Sequence, residues 1–248
     1  MKISAFGDSG RVRECERCLL SCVGEPLYSH LLLLPIPTTR DGVYINGTDI
    51  PLTSLLDSAR DGVLIAGYSI PDELRDALAS RGADVLDASL SEDFLTVNAD
   101  ITARGAIGHV LSESVRDLPD MSIAVIGYGR IGSRLVRYLL FLGARVTVLS
   151  CRESVCRELA SSGVPVAQTG ECSLTGFDLI INTAPAPVLC EADIASLGEG
   201  VRVIDLASGR FLPSSPRVTK LASIPEAMYP VSAGRVYADH IKKYLYGN

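Results

Sequence analysis

A chain of 248 residues is long enough for two domains, each with its own apolar core. It carries 23 basic against 29 acidic side chains, a formal charge of −6, and no basic tract, which argues against nucleic acid as a partner and leaves open small anions held by local charge. No apolar run reaches membrane-spanning length and the opening MKISAFGDSG has no signal-peptide core, so a cytoplasmic protein without membrane association is expected.

In chain order, residues 2–6 read as a strand, Asp8 or Ser9 as a helix cap, 11–22 as a helix and 28–34 as the next strand. A polar turn at 38–42 leads into 43–50, where Asn46-Gly47 signals a hairpin. Residues 53–60 form a helix candidate, 62–66 a strand, 71–81 a helix opened by proline and 83–86 a strand. The rhythm then breaks over 91–98, and 102–118 shows a helical face through Ile107, Val110, Leu111 and Val115 before Pro119-Asp120. After a βαβ stretch at 122–152 come a helix at 153–162, strands at 164–166, 178–182 and 202–206, and an amphipathic helix at 232–246. Such alternation implies an α/β fold with two doubly wound parallel-sheet domains, the second a Rossmann dinucleotide-binding domain. The expected limits are 1–100 for the first domain, 101–118 for a bridging helix and 119–231 for the second, with 232–248 packing back on the first. Seven scattered cysteines read as reduced thiols, with Cys15, Cys18 and Cys22 on one helical face as core, so no metal site is expected.

The stretch SIAVIGYGRIGSRLVRYLLFLGARVTVLSCR, 122–152, carries the strongest signal. A short apolar strand turns on Gly127, Gly129 and Gly132, helical spacing follows through Leu135 and Leu139, Gly143 ends the helix, and 145–149 supplies a second strand. In this frame Gly127 serves the tight turn, Gly129 the close approach of backbone to a pyrophosphate, and Gly132 the packing of helix on strand. Tyr128, Arg130 and Ile131 complete the turn, with the phosphates expected at the N-terminus of the helix.

Discrimination between NAD and NADP falls at the end of the second strand. There the chain reads Ser150-Cys151-Arg152 and has no carboxylate until Glu153, so hydroxyl and guanidinium donors favour the 2′-phosphate of NADP, with NAD also possible. Two later strand ends, Thr183-Ala184-Pro185 and Leu206-Ala207, are the candidates for the nicotinamide half.

Taken together, NADITARGAI, VIGYGRIGSRLVRYLLFLGARVTV, DLIINTAPAPVL and VIDLASGRF, with LLLLPIPTTRDGVYI before them and IPEAMYPVSAGRVYADHI after, resemble the family of the dipicolinate synthase A subunit, itself related to D-2-hydroxyacid dehydrogenases and the NAD domain of adenosylhomocysteine hydrolases. The resemblance covers most of the chain. It implies oxidation of a dihydrodipicolinate-type ring to pyridine-2,6-dicarboxylate with NADP as hydride acceptor, in a spore-forming bacterium, alongside a flavoprotein-like B subunit. A homo-oligomer is a further expectation.

A dicarboxylate substrate needs hydroxyl and cation donors. The candidates are Thr38 and Thr39 after the second strand, Thr102 and Arg104 at the start of the bridging helix, and Ser208, with Arg210, after the late strand. His109 reads as a half-buried packing residue. A 2-hydroxyacid dehydrogenase would need an Arg, an acid and a His around the nicotinamide, and neither His30, His109 nor His240 stands in a suitable loop. The other alternative is a non-catalytic NADP(H)-binding module.

Overall fold

The computed structural model describes residues 1–22 and 27–246. In chain order the elements are β1 (Lys2–Ala5), α1 (Gly10–Leu20), β2 (His30–Leu33), α2 (Leu55–Ser58), β3 (Val63–Gly67), α3 (Asp72–Ala79), β4 (Asp84–Asp87), α4 (Glu92–Glu113), β5 (Ser122–Ile126), α5 (Arg130–Phe141), β6 (Arg145–Ser150), α6 (Glu153–Ser161), β7 (Val166–Gln168), β8 (Leu179–Asn182), α7 (Glu191–Ser196), β9 (Arg202–Asp205), β10 (Val218–Lys220), α8 (Ile224–Met228) and α9 (Pro230–Tyr246). They divide into two compact units, 1–98 with 225–248, and 99–224.

The first unit holds a parallel sheet in the order β1-β2-β3-β4. The run Leu31–Leu34 is apolar throughout because both faces are covered. Leu31 and Leu33 meet α1 and α9 through Val12, Cys15, Tyr237 and Ile241, while Leu32 and Leu34 pack with Leu52, Leu55 and Leu78. Helix α1 is capped by Ser9, whose Oγ accepts from the Val12 N–H at 3.2 Å. Its approach to α9 requires Gly234, where a Cβ would stand 2.7 Å from the Arg11 carbonyl. Cys15 is wholly buried in this core, and the seven cysteines are free thiols.

The second unit holds a six-stranded parallel sheet in the order β10-β9-β8-β5-β6-β7, the 3-2-1-4-5-6 arrangement of a Rossmann fold. Ile123 and Val125 of β5 face a core with Ala103, Ile107, Leu135 and Leu139, whereas Ala124 and Ile126 face Leu149, Ile180, Leu189 and Ile194.

Several expected boundaries move. Helix α4 begins at Glu92 rather than 102, because Ser91 caps it, its Oγ accepting from the Phe94 N–H, and Glu92 and Asp93 suit the positive helix end. It ends at Glu113, and Leu118 instead opens a short 3-10 turn that Asp117 caps. Residues 43–50 form no strand ladder: the chain folds back through one isolated antiparallel bridge, Tyr44 with Pro51, closed by the Ile45 N–H on the Ile50 carbonyl and the Leu52 N–H on the Val43 carbonyl. The Val43 and Ile50 N–H groups that would extend it are spent on Asp41 Oδ1 and Thr48 Oγ1. The strand expected at 164–166 lies at Val166–Gln168.

Candidate functional site

The register sets Ile126, the last residue of β5, beside Leu149 of β6 and Asn182 of β8. The turn that follows therefore opens where the strand order reverses, the usual place for a ligand in an open α/β sheet. Gly127 has φ +91° and donates its N–H to the Leu149 carbonyl at 2.8 Å. A Cβ on Gly132 would collide with the Gly127 carbonyl and approach Thr183 Oγ1 to 2.9 Å, so turn and helix meet in backbone contact. Gly129 differs: it is extended (φ −92°, ψ −159°) and a Cβ there would meet nothing within 4 Å. The protein's own packing does not demand that glycine, whereas a phosphate lying against the backbone would. Gly129 is also the N-cap of α5 and gives its first N–H groups no side-chain partner. Such a cradle fits a dinucleotide pyrophosphate. Tyr128 and Ile131 are half-buried against the core beneath, and Arg130 is exposed.

At the end of β6, Ser150 is buried and its Oγ accepts from the Arg152 N–H at 3.2 Å. Cys151 is exposed. The Arg152 guanidinium reaches across to the glycine turn, donating through Nη2 to the Tyr128 carbonyl at 2.6 Å. A carbonyl takes none of its charge, so an exposed cation stands fixed beside the turn.

The ends of β8 and β9 are joined by buried polar groups. Thr183 donates its N–H and its hydroxyl to the Ile126 carbonyl, at 2.8 and 3.0 Å, locking β8 onto the glycine turn. Asn182 Nδ2 donates to Asp205 Oδ1 at 2.8 Å and to the Ala184 carbonyl, while its Oδ1 accepts from the Ala184 N–H. Asp205 also accepts from the Ala207 N–H and from Lys220 Nζ, the latter at 2.8 Å. Lys220 donates further to the Ala207 carbonyl. Leu206 and Ala207 are thereby held buried, and Pro185 is exposed. Sequence reasoning missed Asn182, Asp205 and Lys220 as a unit. The available signal was a polar residue closing each of two apolar strands, LIIN and RVID, since such buried groups must be partnered.

The substrate-side candidates are divided between the two units. Thr38 and Thr39 belong to the first unit, and Thr102, Arg104 and Ser208 to the second. Thr38 is wholly buried; its Oγ1 accepts from the Tyr68 N–H at 2.9 Å and its own N–H donates to the Tyr68 carbonyl, which makes it a staple between loops. Thr39 shapes a turn, donating to Asp41 and accepting from the Gly42 N–H. Thr102 and Arg104 were expected at a helix start, but α4 begins ten residues before Thr102, and mid-helix N–H groups are used internally. Thr102 is buried, and Arg104 pairs with Asp100 at 3.3 Å. Asp100 also accepts from the Tyr138 hydroxyl at 2.6 Å. Ser208 and Arg210 are exposed after β9.

A cavity of about 660 Å³, lined in part by half-buried His109, Val110, Leu179 and Arg202, lies at the amino ends of β8 and β9, the sheet edge opposite the glycine turn. Among the described residues no group of three or more His, Cys, Asp or Glu side chains is placed to hold a metal ion, and no helix is long and apolar enough to cross a membrane.

The family model for the TrkA-N domain matches residues 123–175, the glycine turn and its flanking strands. The dipicolinate synthase A subunit of Bacillus subtilis is 24% identical over 163 residues, 62% of this chain; the match spans just over half, 55%, of that relative's length. The crystal structure of the dipicolinate synthase A subunit from Bacillus halodurans superposes with a TM-score of 0.80 at 20% identity, over 99% of this chain and 97% of that one. The apo-structure of D-lactate dehydrogenase from Escherichia coli matches with a TM-score of 0.63 at 13% identity, over 100% and 98% of the two chains. By its sequence motifs and by its fold alike, the chain resembles the A subunit of dipicolinate synthase.

Proposed function

We propose that the protein is an NADP-dependent oxidoreductase that oxidises a dihydrodipicolinate-type ring to pyridine-2,6-dicarboxylate. The observation that carries this is the cradle at 127–132, where a φ of +91° calls for glycine at 127, contact with the Gly127 carbonyl calls for it at 132, and no described neighbour calls for it at 129, where a phosphate would. NAD(P) bound in that crevice would supply a hydride acceptor. The residues that would hold it are Gly129 to Gly132 at the pyrophosphate, Arg152 at the ribose phosphate, and Thr183 to Pro185 with Leu206 and Ala207 at the nicotinamide half.

The rest is work for the chain itself. Arg152, fixed on the Tyr128 carbonyl, puts a cation where a 2′-phosphate adds charge and a 2′-hydroxyl does not. Thr183 and the Asn182–Asp205 pair keep the loops after β8 and β9, which would flank the reacting ring, at one spacing. One hydride leaves that carbon and one proton leaves the ring to water, which balances formation of the aromatic pyridine. The same reading carries a role in sporulation and partnership with a flavoprotein-like B subunit.

The test is to supply the purified protein with NADP and dihydrodipicolinate made in situ from aspartate semialdehyde and pyruvate. NADPH and pyridine-dicarboxylate absorbance should rise together. Tight NADP binding without either product favours a second reading, an NADP(H)-binding module without turnover. Two observations favour that module: Thr38 spends its hydroxyl on backbone, and Arg104 is paired with Asp100.

A further inference from the structure

Lys220 ends β10 and stands in register with Asp205, so it emerges at the same sheet edge as the glycine turn and the 183–187 and 206–210 loops. Two of its three N–H groups are spent, one on Asp205 Oδ2 and one on the Ala207 carbonyl. Asp205 is 3% exposed and is itself fixed by Asn182 and the Ala207 N–H. The ammonium is thus immobilised by a buried, fully bonded network, yet its side chain remains one-third exposed. An ordinary surface lysine is flexible and strongly hydrated; this one has already lost its rotamer freedom, so an anion meeting the third N–H incurs little further ordering cost.

Position decides which anion. A dinucleotide lying across the crevice would set its pyrophosphate at α5, its adenosine ribose toward the end of β6, and its reacting ring toward β8 and β9. Lys220, one strand beyond β9, borders that reacting end, far along the sheet from the phosphate-binding turn. We propose that Lys220 is the cation that receives a carboxylate of the substrate, held ready by Asp205 and Ala207. This rests on the oxidoreductase reading above; Lys220, like Arg104, is already paired with a carboxylate, and what it offers a substrate is its third N–H. The bond to the Ala207 carbonyl ties Lys220 to the loop after β9.

The test titrates pyridine-2,6-dicarboxylate into the full chain by calorimetry, with and without NADPH, alongside fluorescence titration of NADPH itself. Lys220→Met is expected to weaken the dicarboxylate roughly tenfold or more, the worth of one charge-assisted hydrogen bond, and to weaken NADPH by a clearly smaller factor. Lys220→Arg should recover part of the loss. Should Lys220→Met fail to fold with Asp205 left alone, the Asp205→Asn/Lys220→Met pair removes the buried charge together with its partner and carries the same comparison. Dicarboxylate binding that is absent from the unmodified protein, or equal in it and the Met variants, overturns the proposal even where NADPH binds. Lys220-dependent dicarboxylate binding in a protein that binds no NADPH would sustain it and remove the dinucleotide reading instead.

Discussion

Arg152 donates through Nη2 to the Tyr128 carbonyl at 2.6 Å, tying the end of β6 to the middle of the glycine turn 24 residues earlier. The carbonyl orients the guanidinium without neutralising its charge. Arg152→Asp should therefore exchange NADP preference for NAD, because a carboxylate at this strand end accepts from a 2′-hydroxyl and repels a 2′-phosphate. Paired NADPH and NADH titrations check this, and an unchanged preference would show that Arg152 is not the phosphate ligand.

The glycines of the turn should separate structure from binding. Gly132→Ala forces a methyl into the Gly127 carbonyl, so it should lower stability by about 1–3 kcal/mol or more in urea unfolding. Gly129→Ala has an allowed backbone and no neighbour within 4 Å, so stability should stay within about 0.5 kcal/mol. Its NADPH affinity should nevertheless fall about tenfold or more, since the methyl occupies the line of backbone approach.

Asn182 and Asp205 should behave as a coupled pair. Asn182→Leu leaves the buried Asp205 carboxylate short of one donor and should cost about 1–3 kcal/mol. In a double-mutant cycle with Asp205→Asn the two losses should fall short of additivity by about 0.5 kcal/mol or more. Strict additivity would mean that the 2.8 Å contact carries no energy.

Acid should weaken the first unit through His240. Its Nε2 is buried with no hydrogen-bond partner among the described residues, its ring lies 5.4 Å from that of Phe94, and burial, with Lys243 nearby, holds its pKa below the ordinary value. The folded form then prefers neutral imidazole and the unfolded chain takes the proton first. The stability contribution is complete above the ordinary pKa of about 6.5 and declines as pH falls through it. His240→Leu should flatten the urea midpoint between about pH 7.5 and 5.5. His30 is shifted in the same direction by burial and by Lys2, so a shallower slope should persist.

The second sheet was largely legible because its strands are written as unbroken apolar runs and its turn requires glycine for reasons visible in one dimension. What escaped was written in polar residues whose meaning depends on distant partners. Nothing local marks Lys220 as the ligand of Asp205, fifteen residues before it, or Arg11 as a buried cation. Arg11 donates to Asn98 and lies 3.6 Å from Glu226, residues 87 and 215 positions away. Helix α4 was misjudged for a related reason: between Ser91 and Asn98 Phe94 is deeply buried while Leu95 and Val97 are not, too sparse a pattern for a period to emerge. Residue type alone makes Thr38 and Thr39 ligand donors; it does not show that Thr38 Oγ1 accepts from the Tyr68 N–H or that Thr39 donates to Asp41 and accepts from the Gly42 N–H.

Fluorescence titration of the full chain with NADPH, and in parallel with NADH, tests the central claim most directly. The cradle at 127–132 and the cation at Arg152 predict saturable binding of both, with NADPH the tighter. Saturation by neither nucleotide would contradict the account at its root.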